Sequence, residues 1–272
     1  MKLLGVFIAA LALSLVTSVP ASADPPGPYL ALNNNDPASA LSPQERATLA
    51  AKERLFQDHW RQHRKIQSAG GGPSPYSIPN PGGSWPLSVT LGVSPKQQEL
   101  YYYCGPASTQ AVESYSKQGS FHSQGTIAVT ENTNNDLSTY VWRDRVGLNT
   151  YVQMPSGFVY AEYQPASDGE WWARLQEDIA GYGLPQVVTV APHDSDATAW
   201  LPSWPNAITA GHFIVLGGYY GYNSSDSGAS VTYADSSGGF SGGTGTYSTS
   251  STTMRYVIVK TNAQHAGNWI IW

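Results

Sequence analysis

The 272-residue chain contains a single cysteine, Cys104, so no disulfide can close within it. Its fold must therefore rest on a hydrophobic core, and a chain of this length has room for one large domain plus an extension. The composition is rich in glycine, tyrosine and tryptophan, and only 12% of the residues are charged. These features favour a β-containing fold with ordered loops.

The N-terminus has the three parts of a secretory signal peptide. Lys2 supplies a positive charge, residues 3–16 form an uncharged apolar run, and residues 21–23 read Ala-Ser-Ala, a small-residue cleavage pattern. A membrane anchor is the alternative, but the run is shorter than the roughly 20 apolar residues that cross a bilayer. We therefore expect residues 1–23 to be removed, and an extracellular mature protein without stable membrane insertion that begins at Asp24.

Composition divides the remaining chain into three parts. Residues 24–67 form an extension, in which a Ser-Pro-Gln-Glu capping box starting at Ser42 predicts a helix over residues 43–66. Residues 68–84 are rich in glycine and proline and are predicted to be a linker, and residues 85–272 form the main domain. The extension has two interpretations: a surface helix packed on the main domain, or a pro-segment that covers the site until it is removed.

Charge and histidine spacing argue against several classes of ligand. Residues 68–272 carry seven basic and fourteen acidic residues. This balance disfavours nucleic acids and anionic membrane surfaces, which are bound through clustered lysines and arginines. His59 and His63 are spaced to share a helix face, but no third metal ligand lies near them in sequence, so a solvated face is the favoured interpretation. No metal and no organic cofactor is predicted.

The main domain is predicted to be α+β, with a helical part that carries the cysteine followed by an antiparallel sheet. Helices are expected from Cys104 to near Gly119 and over residues 137–146 and 171–180. Two glycines, Gly217 and Gly218, predict a bulge or a close backbone contact within a strand. The remaining predictions are strands over residues 86–92, 186–190, 212–219, 231–234 and 256–260, a hairpin turn over residues 223–228, and a long loop over residues 236–251.

Cys104 has the features of a catalytic thiol. Pro106 fits the first turn of a helix, so Cys104 is expected at a helix N-terminus, where free N–H groups and the helix dipole stabilise a thiolate. A lone thiol outside the cell is exposed to oxidation, so its presence needs a reason. The alternative is an inert cysteine that packs as a small hydrophobic residue.

A histidine and an aspartate are expected to complete the site. Five of the six histidines lie in the extension helix, in loops or in the C-terminal tail (His59, His63, His122, His193 and His265). His212 instead opens an apolar strand, where a half-buried imidazole needs a partner. An antiparallel hairpin would bring the start of this strand beside Asp235, at the end of the next strand. The alternative role for His212 is that of a core histidine bonded to the backbone. The alternative to Asp235 is Asp226 in the hairpin turn.

Gln98, six residues before Cys104, is a candidate for the oxyanion hole. Its side-chain amide could donate a hydrogen bond to the developing oxyanion together with the backbone N–H of Cys104. Tyr101, Tyr102 and Tyr103 either wall a substrate cleft or belong to the core.

These residues resemble a known family. The run Gln-x5-Cys-Gly-Pro-Ala-Ser from Gln98, the Gly-His-Phe-Ile-Val strand around His212 and the Tyr-Ala-Asp sequence ending at Asp235 are similar to the C39-like branch of papain-fold cysteine peptidases. The resemblance spans about residues 85–260. It implies a papain-like fold and a catalytic set of Cys104, His212, Asp235 and Gln98. The family includes peptidases that cut leader peptides after double glycine inside export transporters. No transporter segment is visible in this sequence.

Three classes of function remain open from the sequence. The first is a secreted cysteine peptidase or amide hydrolase that acts on a peptide or protein substrate, a cell-wall amidase included. The second is a transglutaminase-like acyl transferase, and the third is a peptide- or glycan-binding module on the same scaffold. The linker glycines also offer a site for self-cleavage. We expect a monomer.

Overall fold

The computed structural model describes residues 41–68, 79–80, 83–135, 138–191, 200–204, 211–238, 243–264 and 270–272. The predicted signal peptide and most of the predicted linker lie outside these residues, as do His193 and His265.

Helices dominate the first half of the described chain and strands the second. The helices are α1 Pro43–Ser68, α2 Cys104–Ser116, α3 Gln124–Thr130, α4 Val141–Tyr151, α5 Asp168–Gln176, which continues as a π-helical segment over Glu177–Tyr182, and α6 Ser251–Gln264. The strands are β1 Pro79–Asn80, β2 Gly83–Ser84, β3 Ser88–Thr90, β4 Glu162–Tyr163, β5 Gln186–Val190, β6 His212–Tyr220, β7 Ser230–Asp235, β8 Gly245–Ser250 and β9 Ile270–Ile271. The predicted α+β class, with the cysteine in the helical part and the histidine and aspartate in the sheet, is confirmed.

One antiparallel sheet organises the described residues. Its strands follow the order β4-β9-β5-β6-β7-β8, and β3 also pairs with β6. Strands β5 and β6 are buried along almost their whole length, because helices cover both faces of the sheet. None of the described helices has the length and apolar content that a membrane crossing requires.

The two faces of the sheet pack into two hydrophobic clusters. On one face Val187 and Val215 pack with residues of α2 and α4 such as Val112 and Leu148. On the other face the alternate residues Val188, Ile214 and Leu216 pack with α5 and α6, including Trp171, Trp172 and Met254. This alternation follows from the two-residue period of a strand. It sets α2, which begins at Cys104, directly against the central strand β6.

Three glycine and turn predictions in the sheet are confirmed. The register between β6 and β7 shifts between Leu216 and Gly218, which is the expected bulge. A Cβ atom on Gly218 would lie 2.9 Å from the carbonyl oxygen of Val89, so β3 approaches β6 closely there. The turn between β6 and β7 lies at residues 221–229, around the predicted position.

The prediction of a strand over residues 256–260 is wrong, because these residues belong to α6. Their valines and isoleucine favour strands by propensity, but Met254, Val257 and Ile258 recur at helical spacing and all three are buried. Ser250 caps the helix by accepting a hydrogen bond from the N–H of Thr253 at 3.0 Å. The tertiary burial of this apolar face outweighs local propensity.

Three further elements differ from expectation. The predicted loop over residues 236–251 contains β8, whose successive residues alternate between partly buried and exposed positions at the edge of the sheet. The second predicted helix, over residues 137–146, is shifted and appears as α4. The short helix α3 was not expected; Ser123 caps it by accepting the N–H of Thr126.

Candidate active site

Cys104 is the first residue of α2, as the sequence predicts. The helix is buried over most of its length, and Cys104 itself is only 8% exposed. Its neighbour Gly105 lies against Thr139, since a Cβ atom there would be 2.5 Å from the threonine hydroxyl. The first turn therefore sits tightly in the domain, with its free N–H groups at the position of the thiol.

His212 and Asp235 are in contact at the adjoining ends of β6 and β7. The imidazole Nε2 lies 2.8 Å from Oδ1 of Asp235, and both side chains are buried. The pairing of Val215 with Ala234 in the antiparallel ladder brings these strand ends together. Asp226 instead accepts hydrogen bonds from the backbone N–H groups of Tyr222 and Asn223, which is the role of a turn-forming residue.

Electrostatics favour a charged pair at this position. Burial alone would lower the pKa of His212, but the charge and hydrogen bond of Asp235, with smaller contributions from Cys104, raise it to about 10. Burial alone would raise the pKa of Asp235, but the charge of His212 and several hydrogen bonds lower it to about 2. Because Nε2 faces Asp235, Nδ1 is the ring nitrogen left for the thiol. His212 thus stands between Cys104 and Asp235.

Two residues that the sequence did not reveal complete the surroundings of Asp235. Ser203 Oγ and Trp204 Nε1 donate hydrogen bonds to Oδ2 at 2.7 and 2.9 Å. The indole ring of Trp204 also lies 5.0 Å from the imidazole of His212, centroid to centroid. Both residues lie in an irregular segment about thirty positions before Asp235, so neither periodicity nor spacing could indicate them.

Gln98 lies beside the site, but its amide faces elsewhere. The backbone N–H of Gln98 donates to the carbonyl of Ser236 at 2.9 Å, next to Asp235. Its side-chain Nε2 donates to the carbonyls of Leu100 and Tyr101 at 3.1 and 2.8 Å, which engages both amide hydrogens. The structure therefore places Gln98 in the loop before Cys104, and its role in an oxyanion hole stays a prediction.

The tyrosine run is not part of the hydrophobic core. Tyr101 is 46% exposed, and Tyr102 and Tyr103 are half-buried. Each packs edge-on against the next, with ring centroids 5.1 and 4.9 Å apart. These rings are available at the surface directly before Cys104.

The other described histidines have different surroundings. His59 is buried, with Nδ1 3.7 Å from Glu177, so the prediction of a solvated face is wrong at this position. His122 is half-exposed and lies 2.6 Å from Glu113. Within the part of the chain that the structure describes, no three histidine, cysteine, aspartate or glutamate side chains form a group that could hold a metal ion.

Comparison with known proteins identifies relatives at the level of family. The model of the Peptidase_C39 like family matches residues 90–269, about two thirds of the chain. None of the curated protein sequences matches.

Solved structures of cysteine proteases also align with the chain. Xylellain, a cysteine protease from Xylella fastidiosa, is 15% identical over 69% of this chain and 86% of its own, with a TM-score of 0.44. The bromelain protease from Ananas comosus, in complex with the E64 inhibitor, is 13% identical over 69% of this chain and 98% of its own, with a TM-score of 0.41. A recombinant stem bromelain precursor is 13% identical over 86% of this chain and 94% of its own, with a TM-score of 0.43.

Proposed function

Since the chain belongs to the Peptidase_C39 like family and is a cysteine peptidase, we propose that it is secreted and cuts peptide or amide bonds with a triad of Cys104, His212 and Asp235. The observation that carries this proposal is the buried His212–Asp235 pair, 2.8 Å apart and electrostatically linked to Cys104. A thiol at a helix N-terminus beside an imidazole with a raised pKa meets the requirements for a thiolate nucleophile at neutral pH.

The reaction proceeds in two balanced steps. The Cys104 thiolate attacks the carbonyl carbon of the substrate, and the His212 imidazolium gives its proton to the leaving amine as the C–N bond breaks. A water molecule then gives a proton to neutral His212 and attacks the thioester, which releases the acid and restores the thiolate–imidazolium pair. Asp235 keeps its charge throughout and orients the ring through Nε2.

The oxyanion hole is proposed to consist of the backbone N–H of Cys104 and the amide of Gln98. One of the two hydrogen bonds from Gln98 to the carbonyls of Leu100 and Tyr101 would have to open for this. Removal of one oxyanion donor lowers kcat by about 10²–10³, or about 3 kcal/mol. Gln98→Ala is therefore expected to lower kcat, with little change in thiol reactivity.

The test is alkylation of Cys104 by iodoacetamide across pH, followed by intact mass. Wild type is expected to react well below the free-thiol pKa of about 8.5. His212→Ala should move the reaction toward that value, because the thiolate loses its cationic partner. His122→Ala is the matched control, since that histidine is half-exposed and paired with Glu113.

The outcomes separate the three functional classes. An unreactive Cys104, or one that reacts like a free thiol with or without His212, contradicts the proposal and favours a binding module. A reactive thiol with cleavage of peptides that Cys104→Ala abolishes supports the peptidase. Incorporation of an amine in place of cleavage would identify an acyl transferase.

A further inference from the structure

Helix α1 presents a continuous face to the rest of the domain. Leu49, Lys52, Phe56 and Trp60 recur at three- and four-residue spacing, which places them on one side of the helix. Phe56 belongs to the hydrophobic core that contains Trp171 and Ile214, and it is 1% exposed. Leu49 and Trp60 pack against the same core.

We propose that α1 is a permanent structural part of the catalytic domain, which stays bound after the linker is cut, and not a pro-segment that is discarded. This inference concerns the fold of the domain and holds whether or not the proposed triad is active. Its basis is a set of buried charged side chains in the domain that form ion pairs with α1.

The first of these charges is Asp178, which Lys52 neutralises. Nζ of Lys52 lies 3.2 Å from Oδ1 of Asp178, and both side chains are completely buried. The same ammonium group lies 3.6 Å from the ring centroid of Phe158 and 3.9 Å from that of Trp272. Loss of α1 would remove this ammonium group and leave Asp178 with Gln186 as its remaining side-chain hydrogen-bond partner. A carboxylate in such apolar surroundings is strongly destabilising without its counter-ion.

The second charge is Arg174 on α5. Its guanidinium donates two parallel hydrogen bonds to Glu53 of α1, at 2.8 and 2.9 Å, and one to Glu170 of α5 at 3.2 Å, although Arg174 is only 2% exposed. The guanidinium also lies 3.8 Å from the ring centroid of Phe56 and 4.0 Å from that of Trp272. Bidentate pairs of this kind are among the strongest ionic contacts in proteins.

A third contact ties the start of α1 to α4. Glu45 accepts a hydrogen bond from the side-chain amide of Asn149 at 3.1 Å and lies 3.9 Å from the guanidinium of Arg145. The buried face of α1 thus combines apolar packing with complementary charges over about four turns. Removal of α1 would expose this part of the core to water, which is unfavourable in proportion to the apolar area uncovered.

The described contacts of α1 are also separate from the candidate active site. The side chains of residues 45–56 reach α4, α5, the π-helical segment and Trp272. His212 and Asp235 are surrounded by Ser203, Trp204 and Ser237. This part of α1 therefore packs against α4, α5 and Trp272, and it does not cover the thiol.

The experiment cuts the linker in the folded protein. A recognition sequence for a site-specific protease is inserted at Gly71 in a Cys104→Ala chain, so that the result does not depend on peptidase activity. After cleavage, the α1 fragment is expected to co-elute with the domain in gel filtration and to separate only in denaturant. A fragment that separates under native conditions, with the domain keeping its melting temperature, would overturn the proposal.

Charge variants give a second readout on the same cut protein. Lys52→Met is expected to weaken retention of the fragment by about a hundredfold or more, because Asp178 is left unpaired. Lys52→Met combined with Asp178→Asn should recover most of that loss, since no charge then remains buried. Arg61→Ala is the control, because Arg61 lies on the exposed side of α1 in a surface pair with Asp58. Equal retention by Lys52→Met and Arg61→Ala would contradict the proposal.

Discussion

At the scale of single residues, the carboxylate of Asp235 is the most constrained group in the candidate site. It receives hydrogen bonds from His212, Ser203, Trp204 and the backbone N–H of Ser237. These donors saturate both oxygens, so the side chain has one orientation and stays ionised. The ring of His212 is held in turn by its hydrogen bond with Asp235 and by packing against the indole of Trp204.

Ser203→Ala is predicted to lower the stability of the protein at neutral pH and to make that stability decline less steeply as pH falls. A depressed carboxyl pKa contributes stability that is present above the unfolded value of about 3.9 and is lost as pH falls toward the folded value. The folded pKa of Asp235 is about 2, and loss of the Ser203 donor should raise it. We expect a loss of about 1.5–3 kcal/mol in the free energy of unfolding at neutral pH.

Denaturant unfolding between pH 2 and pH 7 checks this prediction. Ser248→Ala serves as the control, because that hydroxyl bonds Thr232 on the exposed edge of the sheet. An identical acid transition in Ser203→Ala and wild type would contradict the assigned role.

A buried carboxyl pair beside α2 predicts the opposite dependence on pH. The hydroxyl of Thr109, on α2, lies 2.7 Å from Glu131 and 3.1 Å from Asp144. Burial raises the pKa of both acids well above their usual values, and the charge of Asp144 raises that of Glu131 further. Raised pKa values contribute stability that is present at acidic pH and is lost as pH rises through them.

Glu131→Gln is therefore expected to flatten the decline in stability above about pH 5, since the amide cannot lose a proton. The measurement is the difference in free energy of unfolding between pH 5 and pH 9. Glu113→Gln is an instructive comparison, because its partners His122 and Lys117 lower the pKa of Glu113 despite burial. A slope in Glu131→Gln as steep as in wild type would contradict the raised pKa of Glu131.

At the scale of elements, the sequence predicted the strands that carry the site and failed where local propensity and tertiary packing disagree. Strand β5 and the hairpin of β6 and β7 were predicted closely, because strand propensity, apolar runs and turn residues all agree there. Residues 256–260 of α6 are wrongly predicted as a strand, because their valines and isoleucine give no local sign of the core that buries the helix. The Lys52–Asp178 pair was also invisible, since nothing in a sequence indicates which lysine is buried.

The bulge in β6 predicts a substitution with a large effect. Gly218→Ala would bring a Cβ atom to 2.9 Å from the carbonyl of Val89, which is backbone and cannot rotate away. We expect a loss of about 1–3 kcal/mol from this overpacking, measured by chemical denaturation. Gly92→Ala is the matched control, because no atom outside its neighbours lies within 4 Å of the added methyl group. Equal stabilities of the two variants would contradict the close approach of β3.

At the scale of the whole molecule, the sheet between two helical layers provides the stability that disulfides supply in many secreted proteins. The thiol comes from one helical layer and its partners from strand ends, so the site depends on the packing of both. Among the described residues, Cys104 is a free thiol, so the fold does not depend on a disulfide through it.

Reductant is consequently expected to affect activity and not stability. The melting temperature should be the same with and without dithiothreitol, because one cysteine cannot form an internal disulfide. Mild peroxide should abolish peptide cleavage by oxidising the thiolate, and dithiothreitol should restore it from the sulfenic acid. A melting temperature that rises or falls with reductant would reveal an intermolecular disulfide. Cleavage that survives oxidation of Cys104 would exclude it as the nucleophile.

The contact of α1 with Trp272 has a consequence for how the chain folds. Lys52 and Phe56 meet a residue more than two hundred positions further along the chain, so this closure has a very high contact order. Such contacts form late, because the entropy of closing a long loop must be met before they contribute. We therefore expect the sheet to assemble first and α1 to dock last. The chain would then gain its full resistance to unfolding only when the segment bearing Trp272 has joined the sheet.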